Sequence, residues 1–309
     1  MTVVMVFPRN LTAAICIFCC ATAFPAETFS VATFNLENYL DVPSANRPSK
    51  SPAGRAKIRE SLRALNADVV ALQEMGGTNA LLELRASLRA EGLDYPHWEH
   101  VGGFDTNIHL AVLSKFPITA RRPHTDDAFL LFGRRFHVSR GFAEVEIQVN
   151  TSYAFTLLTA HLKSRRPIPE ADEAELREQE ALLLRKRIDA LLDADPHRNL
   201  VVLGDFNDTR DSKSTRAIIG RKHALIDLRP AERNGDQPDS STPHRDPRSI
   251  TWTHYYGKED TYSRIDYILV SQGMAKEWDP AGTCVLTLPG WGVASDHRPI
   301  LARFFAEDR

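Results

Sequence analysis

Leu200 to Asp208 reads LVVLGDFND: four apolar residues without a charge, then a glycine, then polar side chains at Asp205, Asn207 and Asp208. A short apolar run of this kind reads as a buried strand, and its polar end delivers an acid and an amide to the rim of the core. Gly204 lets the backbone turn where a side chain would obstruct it, so Asp205 and Asn207, two residues apart, point the same way. A carboxylate takes a proton or faces a cation, and an amide donates to an anionic oxygen without ionising. That pair suits phosphate chemistry beside a divalent metal. Taken alone, Asp-Phe-Asn would equally make a turn held by side-chain to backbone hydrogen bonds.

The pattern returns at four other strand ends. Phe29 to Phe34 alternates as a strand and stops at Asn35-Leu36-Glu37-Asn38, and Asp68 to Leu72 is a short buried strand stopping at Gln73-Glu74. Tyr153 to Leu158 leads to His161-Leu162-Lys163-Ser164, and Ser295-Asp296-His297-Arg298-Pro299 precedes the strand Ile300 to Phe305. One polar strand end is ordinary. Five, built from the residue types that hold Mg²⁺ or move protons, predict a single site at one end of the sheets.

Helical spacing marks Gly54 to Leu65 and Thr78 to Ala90. An acidic-then-basic helix runs from Glu170 to Leu192, its charges read as a solvated face, and a short helix lies near Ser214 to Ile219. His109 to Ser114, the long alternating stretch Arg134 to Val149, Ile250 to His254 and Ile265 to Val270 read as further strands. Strands outnumber helices and the helices fall between them, which predicts two packed sheets with helices outside. Gln237 to Arg248 has no apolar residue and reads as a mobile surface loop and candidate lid.

The chain has 309 residues and a net charge of -2, so any attraction to a polyanion must come from a local patch. Residues 1–26 read as a secretory signal: Arg9 is the positive flank, Leu11 to Cys20 a short apolar run, and cleavage falls near Ala23 or Ala26. A membrane anchor would need a longer run. The expectation is therefore a single domain over 27–309, exported to the periplasm or the extracellular space. Cys16, Cys19 and Cys20 would leave with the signal, and Cys284 alone offers neither a disulfide nor a cysteine zinc site.

The ordered set NLEN (Asn35 to Asn38), LQE (Leu72 to Glu74), HLKS (His161 to Ser164), GDFN (Gly204 to Asn207), SRIDYILVS (Ser263 to Ser271) and SDHRP (Ser295 to Pro299) resembles the endonuclease/exonuclease/phosphatase superfamily, in an exported bacterial-type, deoxyribonuclease I-like form. The resemblance spans essentially all of 27–309. It implies a four-layer α/β sandwich: two packed, mainly antiparallel β-sheets flanked by helices.

Position by position, the resemblance implies Glu74 as the principal Mg²⁺ ligand, with Asn35 beside it and Asp296 binding directly or through water; Mn²⁺ is an alternative ion. His297 resembles the catalytic histidine, oriented by Asp266, although Arg264 or Arg298 could instead hold that acid in a structural salt bridge. His161, Asp205 and Asn207 complete the set. Water would attack phosphorus in line, with Asp205 or His297 as general base and Asn207 and His161 donating to the developing charge. The acid orienting His161 is not identifiable from sequence, with Asp105 as one candidate. Lys163, with Arg165 and Arg166, and Arg140 are candidate substrate-binding residues; the bland readings are a surface charge run and an Arg140–Glu144 pair. Trp291 could stack on a base, touch lipid or cover the core.

The expected activity is an exported Mg²⁺-dependent phosphodiesterase, foremost an endonuclease on DNA or RNA. The alternatives are a sphingomyelinase-like phospholipid phosphodiesterase and a small phosphate-ester phosphatase. No long apolar hairpin is evident for stable membrane insertion, although Phe129-Leu130-Leu131-Phe132 is a short apolar cluster. A non-catalytic binding protein on the same fold is disfavoured, because every position implied to be catalytic keeps its residue type.

Overall fold

The computed structural model describes residues 27–44, 47–233 and 249–309. The expected signal segment and the loop Gln237 to Arg248 lie outside these residues. In chain order the elements are β1 (Thr28–Tyr39), α1 (Pro52–Leu65), β2 (Val69–Met75), α2 (Thr78–Ala90), β3 (His97–Val101), β4 (His109–Ser114), β5 (Ile118–His124), β6 (Ala128–Leu131), β7 (Arg134–His137), β8 (Phe142–Gln148) and β9 (Ala154–His161). They continue with α3 (Glu173–Ala194), β10 (Leu200–Asp205), α4 (Lys213–Ile219), β11 (Ile226–Asp227), β12 (Glu232–Arg233), β13 (Ser249–Ile250), β14 (His254–Tyr256), β15 (Thr261–Ser263), β16 (Asp266–Val270), β17 (Trp278–Val285) and β18 (Ile300–Phe305).

Two six-stranded sheets result, ordered β17-β18-β1-β2-β4-β3 and β11-β16-β10-β9-β8-β5. Each has one parallel pair, β1 with β2 and β9 with β10, and is otherwise antiparallel. Alternation along each strand divides the core into layers. Phe29 and Val31 of β1 meet Leu157, Val201, Leu203, Ile268 and Val270 between the sheets. Ala32 and Phe34, on the other face of β1, pack with Ile58 and Leu62 of α1 and Leu81, Leu84 and Leu88 of α2. On the far side, Leu158, Ala160 and Val202 pack with Leu184 and Ile188 of α3 and Ile218 of α4. This is the four-layer sandwich the sequence implies.

Local chemistry sets the helix ends. Ser51 Oγ accepts the Gly54 N–H (3.1 Å) ahead of Pro52, and Asp172 accepts the Ala174 and Glu175 N–H groups, so the third helix starts at Glu173 rather than Glu170. Its charges are not simply a solvated face. Arg177, Glu180 and Arg185 are buried, Glu180 at 1% exposure: the arginines pair with Asp208 and Asp189, and Glu180 accepts the Ser139 and Lys163 N–H groups.

The expected strand Arg134 to Val149 is interrupted. Its start pairs with β6 in a separate hairpin, and the chain turns at Gly141, at φ +65°, before β8 joins the sheet. Ile250 to His254 is likewise two short strands with different partners, β13 against β12 and β14 against β15. Among the strands not legible in the sequence, β3, β5 and β17 are edges of the two six-stranded sheets. An edge strand is half-solvated and carries charges, so it lacks an apolar signature.

Candidate active site

Register places three of the expected residues in one row. Asp205, last in β10, pairs with His161 on β9 and with Asp266 on β16. The same alternation that sends Leu203 and Val201 into the space between the sheets sends Asp205 there too, and Asp266 follows Ile268 and Val270. The site is thus the polar mouth of the inter-sheet core. The layer beneath it is uncharged: Thr33 Oγ1 donates to Gln73 Oε1 (3.0 Å) and Gln73 Nε2 donates to Thr159 Oγ1 (3.3 Å), joining the two sheets. Gly204 is required for this register. It sits at φ +134°, and a Cβ there would lie 2.0 Å from the Ala160 carbonyl oxygen.

Asp205 is the hub. Asn207 N donates to Asp205 Oδ1 (2.8 Å), and Asn35 Nδ2, arriving from the other sheet, donates to Oδ2 (2.9 Å). Asn207 Nδ2 reaches the same Oδ2 at 3.3 Å and donates to the Leu162 carbonyl at 2.9 Å. His161 Nε2 is 3.4 Å and His297 Nε2 3.8 Å from Oδ2. His297 Nδ1 faces Asp266 Oδ2 at 2.8 Å, which fixes the ring's orientation and turns Nε2 toward Asp205 and Asp296, the latter 3.9 Å away. Ser295 holds His297 to the end of β1: its Oγ donates to the Asn35 carbonyl (2.7 Å) and accepts the His297 N–H (3.0 Å). The alternative partners for Asp266 are engaged elsewhere, Arg264 with Asp227 and Arg298 with Glu232.

The electrostatics separate these groups. Burial pushes the Asp205 carboxyl up to about 7, with Asp266 adding to the rise while His297 and the Asn207 and Asn35 donors oppose it. Burial alone would lower His297, but the charges of Asp266, Asp205 and Asp296 carry it well above its ordinary value. Burial, with the positive charges of Arg140, His297 and Arg47, holds His161 well below its ordinary value. One imidazole is therefore cationic and the other neutral at neutral pH.

His161 Nδ1 has no hydrogen-bond partner among the described residues. Asp105 does not supply one: it faces Arg47 (3.7 Å) and Arg140 (3.8 Å). Arg140 does not pair with Glu144, which is taken by Arg122 and His124. Instead Arg140 is buried beside His161, donating to the Leu162 carbonyl (3.1 Å). Lys163 Nζ donates to the carbonyls of Ser164 (3.0 Å) and Arg166 (2.8 Å), tying down its own loop.

Glu74 sits at φ +57°, and Glu37, Asn38 and Asn207 also have positive φ, so several of the strand-end motifs hold backbone strain. Glu74 Oε2 accepts the Asn38 N–H (2.9 Å), while its Oε1 takes no hydrogen bond from a described residue. Asn35 Oδ1 accepts the Glu37 N–H (3.0 Å). Two trios of acid or imidazole ligand atoms lie within 4.8 Å of one another, Asp205–Asp266–His297 and His254–Asp296–His297, and Glu74 belongs to neither. The donor chemistry still fits a hard divalent cation, because the open carboxylate oxygen of Glu74, the Asp296 carboxylate and the Asn35 amide oxygen are all hard oxygen donors.

Several members of the site carry no motif. His254 lies 3.6 Å from Asp296 Oδ2, with its ring centroid 4.6 Å from that of His297 and tilted 47° to it, placed there by a bridge between the two backbones. Thr253 Oγ1 accepts the N–H groups of Ile265 and Asp266 (3.2 Å each). Glu180 accepts from Ser139 and from the Lys163 N–H, bracing the loops that hold Arg140 and His161. Only the aromatic and hydroxyl content of Trp252 to Tyr256 hints at their roles.

Comparison with known proteins agrees with this architecture. The profile of the Endonuclease/Exonuclease/phosphatase family matches residues 32–297. No curated protein matches the sequence. Among solved structures, truncated TDP2 of Caenorhabditis elegans superposes with a TM-score of 0.59 at 16% identity, over 90% of this chain and 98% of that one. The human Nocturnin catalytic domain with bound sulfate gives 0.58 at 13%, over 90% and 94%. Sphingomyelinase C from Streptomyces griseocarneus gives 0.55 at 20%, over 90% and 99%. At these identities the likeness is one of fold.

Proposed function

The chain belongs to the endonuclease/exonuclease/phosphatase family, and from that premise we propose that it is a divalent-metal-dependent phosphodiesterase acting on DNA or RNA, with Mg²⁺ as its ion. The observation that carries this reading is Asp205 at the centre of the site, hydrogen-bonded by Asn35 and Asn207 and faced by both His161 and His297.

In this reading water attacks phosphorus in line and Asp205 takes its proton, since a carboxyl at about 7 is matched to neutral pH. His297, kept cationic by Asp266, hydrogen-bonds a nonbridging oxygen and strengthens that bond as charge develops. His161 binds a second phosphate oxygen as a neutral donor. Asn207 positions Asp205, and Asn35 holds it from the opposite sheet. Glu74, Asp296 and Asn35 would hold a divalent cation, which would supply further neutralisation of the phosphate charge.

A diester is favoured over a polyphosphate ester because the cations on the His161 and Asn207 side of the site are already engaged. Arg165 and Arg177 pair with Asp208, at 3.3 and 3.0 Å, and Lys163 is bonded to backbone carbonyls. Export is proposed from the sequence of residues 1–26 alone. No described helix is long and apolar enough to cross a membrane.

One observation favours a phospholipid as second reading. Phe129-Leu130-Leu131-Phe132 forms most of β6 and its turn, with Leu130 72% and Phe132 78% exposed and Arg134 opening β7. An apolar hairpin tip flanked by cations suits a phospholipid surface, the cations facing the headgroup phosphates. The test is Mg²⁺-dependent hydrolysis by the purified protein of plasmid DNA, RNA, sphingomyelin vesicles and a small phosphate monoester, side by side. Turnover confined to the vesicles or the monoester overturns the nuclease reading.

A further inference from the structure

A cavity of about 540 Å³ at the opposite end of the sheets, lined by Arg198, Glu277 and Arg309, mixes both signs of charge and points to no ligand. The hairpin tip at Leu130 and Phe132 is absorbed by the second reading above. The groove beside Asp296 carries more.

Between β14 and the turn at Trp291 lies a cavity of about 610 Å³ lined by Tyr255, Tyr256, Lys258, Trp291, Glu37 and Asp296. Its walls are pinned to the catalytic groups. Tyr255 N donates to the Asp296 carbonyl (2.9 Å), Arg298 N donates to the Thr253 carbonyl (2.6 Å), and His254 bridges to His297. The aromatic rings are braced from behind. Tyr255 packs 4.8 Å from Tyr262 and donates its hydroxyl to Asp260 (3.0 Å); Trp291 leans on Trp252 at 5.4 Å, and the Arg298 guanidinium lies 3.4 Å over the Trp252 ring. Tyr256 stays 40% exposed. The Glu37 carboxylate is neutralised by Lys50 at 2.7 Å.

We propose that this cavity is a base subsite, which takes the planar base of the nucleotide adjoining the scissile phosphate. The proposal rests on the phosphodiesterase reading of the neighbouring site. Because Asp296 lines the cavity and also faces His297, a substrate with its phosphate at His297 extends its next group into this space. Braced aromatic rings offer a sequence-tolerant stacking surface, and Lys258 gives the following phosphate a cation. A lipid tail fits less well, since two tyrosines, a lysine and two carboxylates line the space.

The experiment uses the full protein and two labelled oligonucleotides, one intact and one carrying an abasic analogue beside the scissile phosphate. The expected result is a kcat/KM ratio, intact over abasic, of about 5 to 150 in the wild type, the range for stacking one base. That ratio collapses toward unity in Trp291→Ala and Tyr256→Ala, mainly through KM. Cleavage with the same ratio in wild type and variants overturns the subsite and leaves the phosphodiesterase reading standing. If no oligonucleotide is cleaved, quenching of tryptophan fluorescence by a nucleoside 3′,5′-bisphosphate decides: quenching lost in Trp291→Phe supports the subsite while the nuclease reading fails, and no quenching overturns it. Sphingomyelin hydrolysis that depends on Trp291 and Tyr256 assigns the groove to lipid and also overturns the proposal.

Discussion

His161 and Asp205 face each other across adjacent parallel strands, His161 Nε2 3.4 Å from Asp205 Oδ2, both nearly without solvent contact. The pairing follows from the register of β9 with β10, which Gly204 makes possible by letting the two backbones approach. The chemistry of the site depends on how these groups and His297 share protons.

Asp205 sets the acid limb. With Asp205 as the proposed base and its carboxyl near 7, that base is protonated below this pH, so kcat/KM is expected to rise with pH through about 7. Asp205→Asn removes this limb and lowers kcat by about 10² to 10⁴. A pH–rate profile on both proteins checks this; an unchanged limb in the variant assigns the base elsewhere.

Asp266 sets the alkaline limb. Its carboxylate keeps the His297 proton in place above the ordinary imidazole range, so in the proposed mechanism activity is expected to fall only when that proton is lost. Asp266→Asn withdraws the countercharge, and the alkaline limb moves to lower pH with kcat reduced about tenfold or more. A limb that stays put would mean that Asp266 acts only through packing.

Gly204→Ala tests the register. Its Cβ would meet the Ala160 carbonyl oxygen at 2.0 Å, backbone against backbone, with φ at +134°. The expected cost is about 4 kcal/mol or more, or failure to fold, as seen by thermal or urea unfolding. Ordinary stability would show that the parallel pair can separate without loss.

Asp208 tests the support behind the site. Burial alone would raise its carboxyl, but Arg177, Ser214 and the Thr209 N–H hold it below the ordinary value. The folded pKa lies below the unfolded one, so the stabilisation is present above the unfolded value of 3.8 and is lost as pH falls through the folded value. Asp208→Asn therefore lowers Tm at pH 7, and its difference from wild type shrinks in acid. A constant difference across pH would contradict the ion pair.

The sandwich was legible because its central strands are apolar and end in polar groups, whereas β3, β5 and β17 were not, being solvated edges. Asn35, His161, Asp205, Asn207, Asp266 and His297 announce themselves through strand-end motifs. His254 and Glu180 do not, and Gln73, although inside the LQE motif, gives no sign there of its role. His254 reaches the site through a backbone bridge, Gln73 through inter-sheet hydrogen bonds, and Glu180 from a helix whose charges look solvated. Asp105 fails as the partner of His161 because two arginines claim it, and no spacing rule reveals such competition.

The proposed action of His297 with a divalent cation on a nucleic-acid phosphodiester is open to experiment. Its most direct test is nicking of supercoiled plasmid by the purified protein with Mg²⁺, beside His297→Ala and an EDTA control. The expected result is nicking by the wild type that both controls abolish. A folded, cation-binding wild type that leaves the plasmid intact, or nicking that survives His297→Ala, would contradict it.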